Sequence, residues 1–143
     1  MNILIVDGQG GGVGKSLVAR LKEVLPGAQI CAVGTNSIAS SAMKKAGADI
    51  VATGENAVKV NSRKADVIAG PVGIVAADSL YGEITGAMAE AIGQSDAVKV
   101  LLPFNNCGIF IAGCDDVTPG ILLEKAVKKI VEIAGESGFS EKK

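Results

Sequence analysis

Histidine and tryptophan are absent from this 143-residue chain, and its aromatic residues amount to one Tyr and three Phe. Without histidine there is no Ser-His or Cys-His nucleophilic pair and no imidazole metal ligand. With so few aromatic rings, single-stranded bases have almost nothing to stack on. Basic residues are not in excess: the formal net charge is −1, with no basic stripe outside helix ends, so no nucleic-acid partner is expected. No apolar run approaches the ~18 residues of a membrane span. Three cysteines, Cys31, Cys107 and Cys114, form no zinc spacing and are odd in number. A reduced, cytoplasmic chain is the simplest expectation, with no metal site. The N-terminal stretch Met1–Asp7 runs into glycines without the basic start or small-residue cleavage site of a secretion signal.

What remains is apolar and rich in small residues: 48% hydrophobic and 19 glycines. Short apolar runs alternate with helical patterns, which predicts a parallel sheet with crossover helices. Strands are expected at Asn2–Val6, Gln29–Val33, Asp49–Ala52, Asp66–Ala69 and Ala97–Leu102, with a sixth at Gly108–Ala112. Helical spacing marks Val13–Leu25, stopped by Pro26-Gly27, then Ile38–Ala46, closed by Gly47. The polar stretch Glu55–Lys64 suits a short helix, and Ile84, Ala87, Met88, Ala91 and Ile92 mark another that Gly93 should end. In the last helix Thr118 caps, Pro119 takes the first position, and Leu123, Ala126, Val127, Ile130, Val131 and Ala134 form the buried face. The expectation is a single-domain α/β protein, a three-layer Rossmann-like fold with a mainly parallel sheet in the order 3-2-1-4-5. It should span residues 1–135, with a flexible tail over 136–143.

The segment with chemical content is Asp7-Gly8-Gln9-Gly10-Gly11-Gly12-Val13-Gly14-Lys15-Ser16, which joins a buried strand to an amphipathic helix. Five glycines in seven residues exceed what a turn requires. Backbone amides and the positive end of the helix are placed there to receive a phosphate. The dinucleotide spacing G-x-G-x-x-G fails in every register, but G-x-x-x-G-x-G matches at Gly8, Gly12 and Gly14. That spacing resembles the loop of short-chain dehydrogenases and reductases, and Asp66–Ile74 is similar to their fourth-strand segment. The resemblance implies NADP or NAD as cofactor, the lean to NADP resting on Thr35, Asn36 and Ser37 where a ribose-binding carboxylate is usual. It stops short of the chemistry: the only tyrosine, Tyr81, is followed four residues later by Thr85, not by the catalytic lysine. Asp7 also stands where that family has a small hydroxyl residue. The stretches Val6–Lys15, Gly34–Ala39 and Gly82–Thr85 further resemble a small family of uncharacterised bacterial Rossmann-like proteins.

The positions expected to touch a nucleotide are Gly8, Gln9, Gly10, Gly11, Gly12, Val13, Gly14 and Lys15, then Thr35, Asn36 and Ser37, then Gly70 and Pro71, and Asn105. The plain alternative for Asn36 or Ser37 is a helix cap. A competing reading is a P-loop hydrolase of ATP or GTP with Mg, using Lys15, Ser16 and Asp78; it fails at Gln9, where G-x-x-x-x-G-K-[ST] needs glycine. Asp78 and Glu83 are a candidate acid/base or metal pair, or simply solvated residues at a helix start. Asn106 and Cys107 beside Asn105 read as base-binding and reactive groups, or as a turn with a small thiol. Cys31 reads as core, and Cys114-Asp115-Asp116 as a surface turn. A third reading is a homo-oligomer with a vestigial loop that uses Gly108–Ala112 as its contact edge.

Overall fold

A computed structural model describes residues 1–104 and 108–136. Five strands lie in one wholly parallel sheet: β1 (Asn2–Asp7), β2 (Gln29–Gly34), β3 (Ile50–Thr53), β4 (Val67–Pro71) and β5 (Val98–Leu102), in the order β3-β2-β1-β4-β5. Right-handed crossovers of this kind need helices on both faces. The helices are α1 (Gly12–Val24), α2 (Ser37–Lys45), α3 (Glu55–Ser62), α4 (Gly86–Gln94) and α5 (Pro119–Glu136), with one 3-10 turn at Val72–Val75.

The continuous apolar run of β1 serves two cores, because successive strand side chains alternate between faces. Ile3 and Ile5 pack with Leu17, Val18 and Leu21 of α1, Met43 of α2, and Ala126, Val127 and Ile130 of α5. Leu4 and Val6 pack with Val58 of α3 and with Met88, Ala89 and Ile92 of α4. The layers are thus α1, α2 and α5 on one side and α3 and α4 on the other. No helix among the described residues is long and apolar enough to cross a membrane.

Four expectations need correction. Gly108–Ala112 is not a sixth strand: Gly108 and Gly113 both take left-handed φ values of 70° and 90°, and the Cys114 amide donates to the Ile111 carbonyl. A run this short between two reversing glycines cannot stay alongside β5. Ile109, Phe110 and Ile111 are consequently exposed, Phe110 by 72%. Gly93 does not end α4, which continues to Gln94. A glycine there costs about 1 kcal/mol against alanine, and the fully buried Ile92 beside it outweighs that cost. Val131 is exposed, and Leu123 only half-buried, so the buried face of α5 is narrower than its sequence spacing suggests. Helix α5 also takes in Glu136, the first residue of the expected tail; residues 137–143 lie outside the described residues.

Truncating a buried leucine removes its transfer energy and leaves a cavity. Leu17→Ala is therefore expected to lower unfolding free energy by about 2–5 kcal/mol in urea titrations. Phe110→Ser, at a side chain 72% exposed, is expected to change it by less than about 0.5 kcal/mol. A large loss at Phe110 would restore the sixth-strand reading.

Candidate functional site

Parallel strands put their C-terminal ends at one edge, and helices on the two faces diverge where the strand order reverses. Here that point lies between β1 and β4, the strands that carry Asp7 and Pro71 at their ends. A cleft of about 510 Å³ opens there. Its floor is Asp7 and the loop Gly8–Val13; its walls are Pro71, Leu80, Pro103 and Phe104. A second, strongly apolar groove of about 400 Å³ continues from it between the starts of α1 and α5, sharing Gly12, Val13 and Phe104.

The loop's amides do converge on an anion, but the chain supplies it. Asp7 is 4% exposed. Its Oδ1 accepts from the Gly8 amide at 2.8 Å and its Oδ2 from the Gly14 amide at 2.6 Å. A carboxylate at these amides does what a bound phosphate does at a helix start: it satisfies donors that have no helical partner. Burial pushes the Asp7 carboxyl above its ordinary value; the Gly14, Gly8 and Val13 amides pull it back, and the Glu83 charge adds to the rise.

A second carboxylate ties the neighbouring loops together. Residues 78–84 form a tight turn in which Asp78, Leu80 and Tyr81 all have left-handed φ, between 56° and 65°. The Asp78 amide donates to the Ile84 carbonyl at 2.7 Å, and the Ser79 hydroxyl donates to the Gly73 carbonyl. Left-handed non-glycine residues are strained, and such strain concentrates where a loop must hold a functional shape. The turn presents Glu83 inward. Its carboxylate accepts from the Gln9 amide at 2.8 Å, the Gln9 side chain at 3.0 Å, the Thr35 hydroxyl at 2.5 Å and the Asn36 side chain at 3.1 Å. Burial opposes its charge, but these donors win and hold the carboxyl below its ordinary value.

The glycines of the loop divide into two kinds. At Gly8 an added Cβ would lie 2.7 Å from the Thr35 hydroxyl, and at Gly14 2.5 Å from the Met43 sulfur; Gly11 has a φ of 73° and packs on the Ala39 backbone. These three are required by the fold. Gly10 and Gly12 are not: neither has a left-handed φ, and an added Cβ meets nothing within 4 Å at either. Both border the cleft, and their amides donate to no group of the described residues.

The other expected contacts are scattered. Pro71 lines the cleft, but Gly70 packs its Cα against the Val6 carbonyl and is a packing residue. Thr35 donates to Glu83, Asn36 donates to Glu83 and to the Gln9 carbonyl, and Asn36 also caps α2 by accepting from the Ala39 amide at 2.9 Å. Ser37 is exposed at the first position of α2. Lys15 is exposed and does not border the cleft. Ser16 belongs to the apolar groove, and Asp78 to a separate recess of about 320 Å³ with Gln9 and residues 76–81. The P-loop trio is therefore not brought into one of these cavities, and the Glu83 carboxylate is taken up by Gln9, Thr35 and Asn36 while Asp78 lines its own recess. Asn105, Asn106 and Cys107 lie outside the described residues. Among the described residues no group of three or more Cys, Asp or Glu side chains is arranged to hold a metal ion. The structural weight of Asp7 and Glu83 was not legible beforehand; the one signal was a carboxylate at position 7 where a small hydroxyl is usual.

Fold and site together define a doubly wound α/β protein with a switch-point cleft over a glycine loop. The chain belongs to the family described as a domain of unknown function (DUF3842), which matches residues 2–135. Among curated proteins none matches. Among solved structures the chain is similar to a dodecameric FMN-dependent UbiX-like decarboxylase from Escherichia coli O157:H7, at 16% identity and a TM-score of 0.43, over 95% of this chain and 94% of that one.

Removing the Asp7 carboxylate leaves the buried Gly8 and Gly14 amides without partners, at about 1–3 kcal/mol for each unsatisfied group. Asp7→Ala is expected to lower unfolding free energy by about 2 kcal/mol or more at neutral pH, measured by denaturant titration. The two carboxylates should also leave opposite marks on pH dependence. The raised Asp7 group stabilises the fold below the ordinary value of 3.8, and that contribution is lost as pH rises through its folded value. The lowered Glu83 group stabilises above the ordinary value of 4.5, and its contribution is lost as pH falls through its folded value. Stability differences between wild type and Asp7→Asn, and between wild type and Glu83→Gln, should slope in opposite directions with pH.

Proposed function

We propose that this chain is a nucleotide-binding module that seats a phosphorylated ligand in the switch-point cleft, a phosphoryl group on the Gly10 and Gly12 amides and a ring between the apolar walls. The observation that carries this reading is that Gly10 and Gly12 are bare where the fold does not need them to be. Two amides at a helix start without partners among the described residues favour an anion, and Pro71, Leu80, Pro103 and Phe104 suit the face of a heterocycle. The reading is of a binding protein, not a hydrolase, because Lys15, Ser16 and Asp78 border different surfaces. The loop spacing by itself suggests NADP or NAD, with ATP or GTP and Mg the alternative; all of these carry a diphosphate, and AMP is the nucleotide tested that offers a single phosphoryl group.

A ligand that binds only the folded chain raises its melting temperature. Thermal shifts with AMP, NAD, NADP, FAD, ATP–Mg and GTP–Mg are expected to show stabilisation by at least one nucleotide, without magnesium dependence. Gly10→Ala and Gly12→Ala are expected to leave melting unchanged or slightly higher, since alanine narrows the unfolded ensemble at compatible positions. The same variants should weaken that nucleotide at least tenfold in calorimetric titration. Unchanged affinity in both variants would remove the reading, as would the absence of any shift.

A further inference from the structure

We infer that Asp7 sets the ligand class of the cleft: it admits a ligand with one phosphoryl group and excludes one carrying a diphosphate. This rests on the proposed nucleotide site and specifies what the site takes.

The inference follows from counting the donors of the loop. The Gly8 and Gly14 amides donate to Asp7 and the Val13 amide also faces it, the Gln9 amide donates to Glu83, and the Gly11 amide to the Gly8 carbonyl at 2.9 Å. Gly10 and Gly12 are left, enough for the oxygens of one phosphoryl group. For the loop to hold a second phosphoryl group it would have to use the remaining amides at the α1 start, where the Asp7 carboxylate already lies. Two anions there compete for the same donors and repel at short range in a site that screens them poorly. Asp7 is not placed to withdraw, since it is almost fully buried and held by two short hydrogen bonds. The far half of a dinucleotide meets a second obstacle. Thr35 and Asn36, where its ribose would be held, already donate to the Glu83 carboxylate, and that charge also repels a 2′-phosphate. Both contacts that distinguish a dinucleotide from a mononucleotide are thus made by the chain to itself.

AMP and ADP differ by the one group in question, so their affinity ratio isolates it. By calorimetry, wild type is expected to bind AMP at least as tightly as ADP. Asp7→Ser, which vacates the amides and restores a small hydroxyl, should shift the ratio at least tenfold toward ADP, and Asp7→Asn, which removes only the charge, should shift it in the same direction. If Asp7→Ser does not fold by circular dichroism, Asp7→Asn decides. Wild type that binds AMP while folded Asp7 variants keep the same ratio overturns the inference and leaves the nucleotide reading standing. Wild type that binds ADP tenfold more tightly than AMP overturns it as well. Failure of both nucleotides on every variant removes the nucleotide reading itself.

Discussion

The carboxylate of Asp7, buried under the glycine loop and joined to the Gly8 and Gly14 amides, is the contact around which the top of this fold is arranged. A helix that starts inside a protein must satisfy its first amides, and in many doubly wound folds that task falls to a ligand phosphate or to a cap on the helix itself. Here the last residue of β1 does it. Strand and helix are thereby tied across the loop, and α1 is anchored without a side-chain cap at Gly11. The arrangement requires glycine at position 14, where any side chain would meet both Met43 and Asp7.

Glu83 extends the same logic sideways. By accepting from Gln9, Thr35 and Asn36 it connects the loops that follow β1 and β2 to the strained turn before α4. Three loops at the C-terminal edge of the sheet form one hydrogen-bonded unit with two carboxylates at its heart. Networks of this kind are rigid when complete and costly when broken. What the unit leaves open is narrow: a cleft with apolar walls and two amides, continued by an apolar groove toward α5.

The glycine loop illustrates how composition misleads and informs at once. Five glycines read together suggest a loop opened for phosphate along its whole length. In the fold, Gly8, Gly11 and Gly14 are small because the chain itself presses against them, on Thr35, Ala39 and Met43. Only Gly10 and Gly12 are left without a reason of that kind. Sequence spacing cannot separate the two groups, because the neighbours that decide the matter come from α2 and from the turn at 78–84, far away in the chain.

The sites of most strands and helices and the two-sided core were legible from local pattern, while the order of the strands followed only from the fold class: a continuous apolar run at Ile3–Val6 must be covered on both faces, and Leu17, Val18 and Leu21 can cover only one of them. Those features depend on the period of the backbone, which each segment carries within itself. The fate of Gly108–Ala112 and the roles of Asp7, Thr35, Asn36 and Glu83 depended on tertiary structure instead. An isolated apolar run becomes a strand only if a sheet edge receives it, and here two left-handed glycines turn it away from β5. A carboxylate becomes a lock instead of a solvated charge only when folding delivers donors to it and removes water, and for Glu83 those donors lie 47 to 74 residues away.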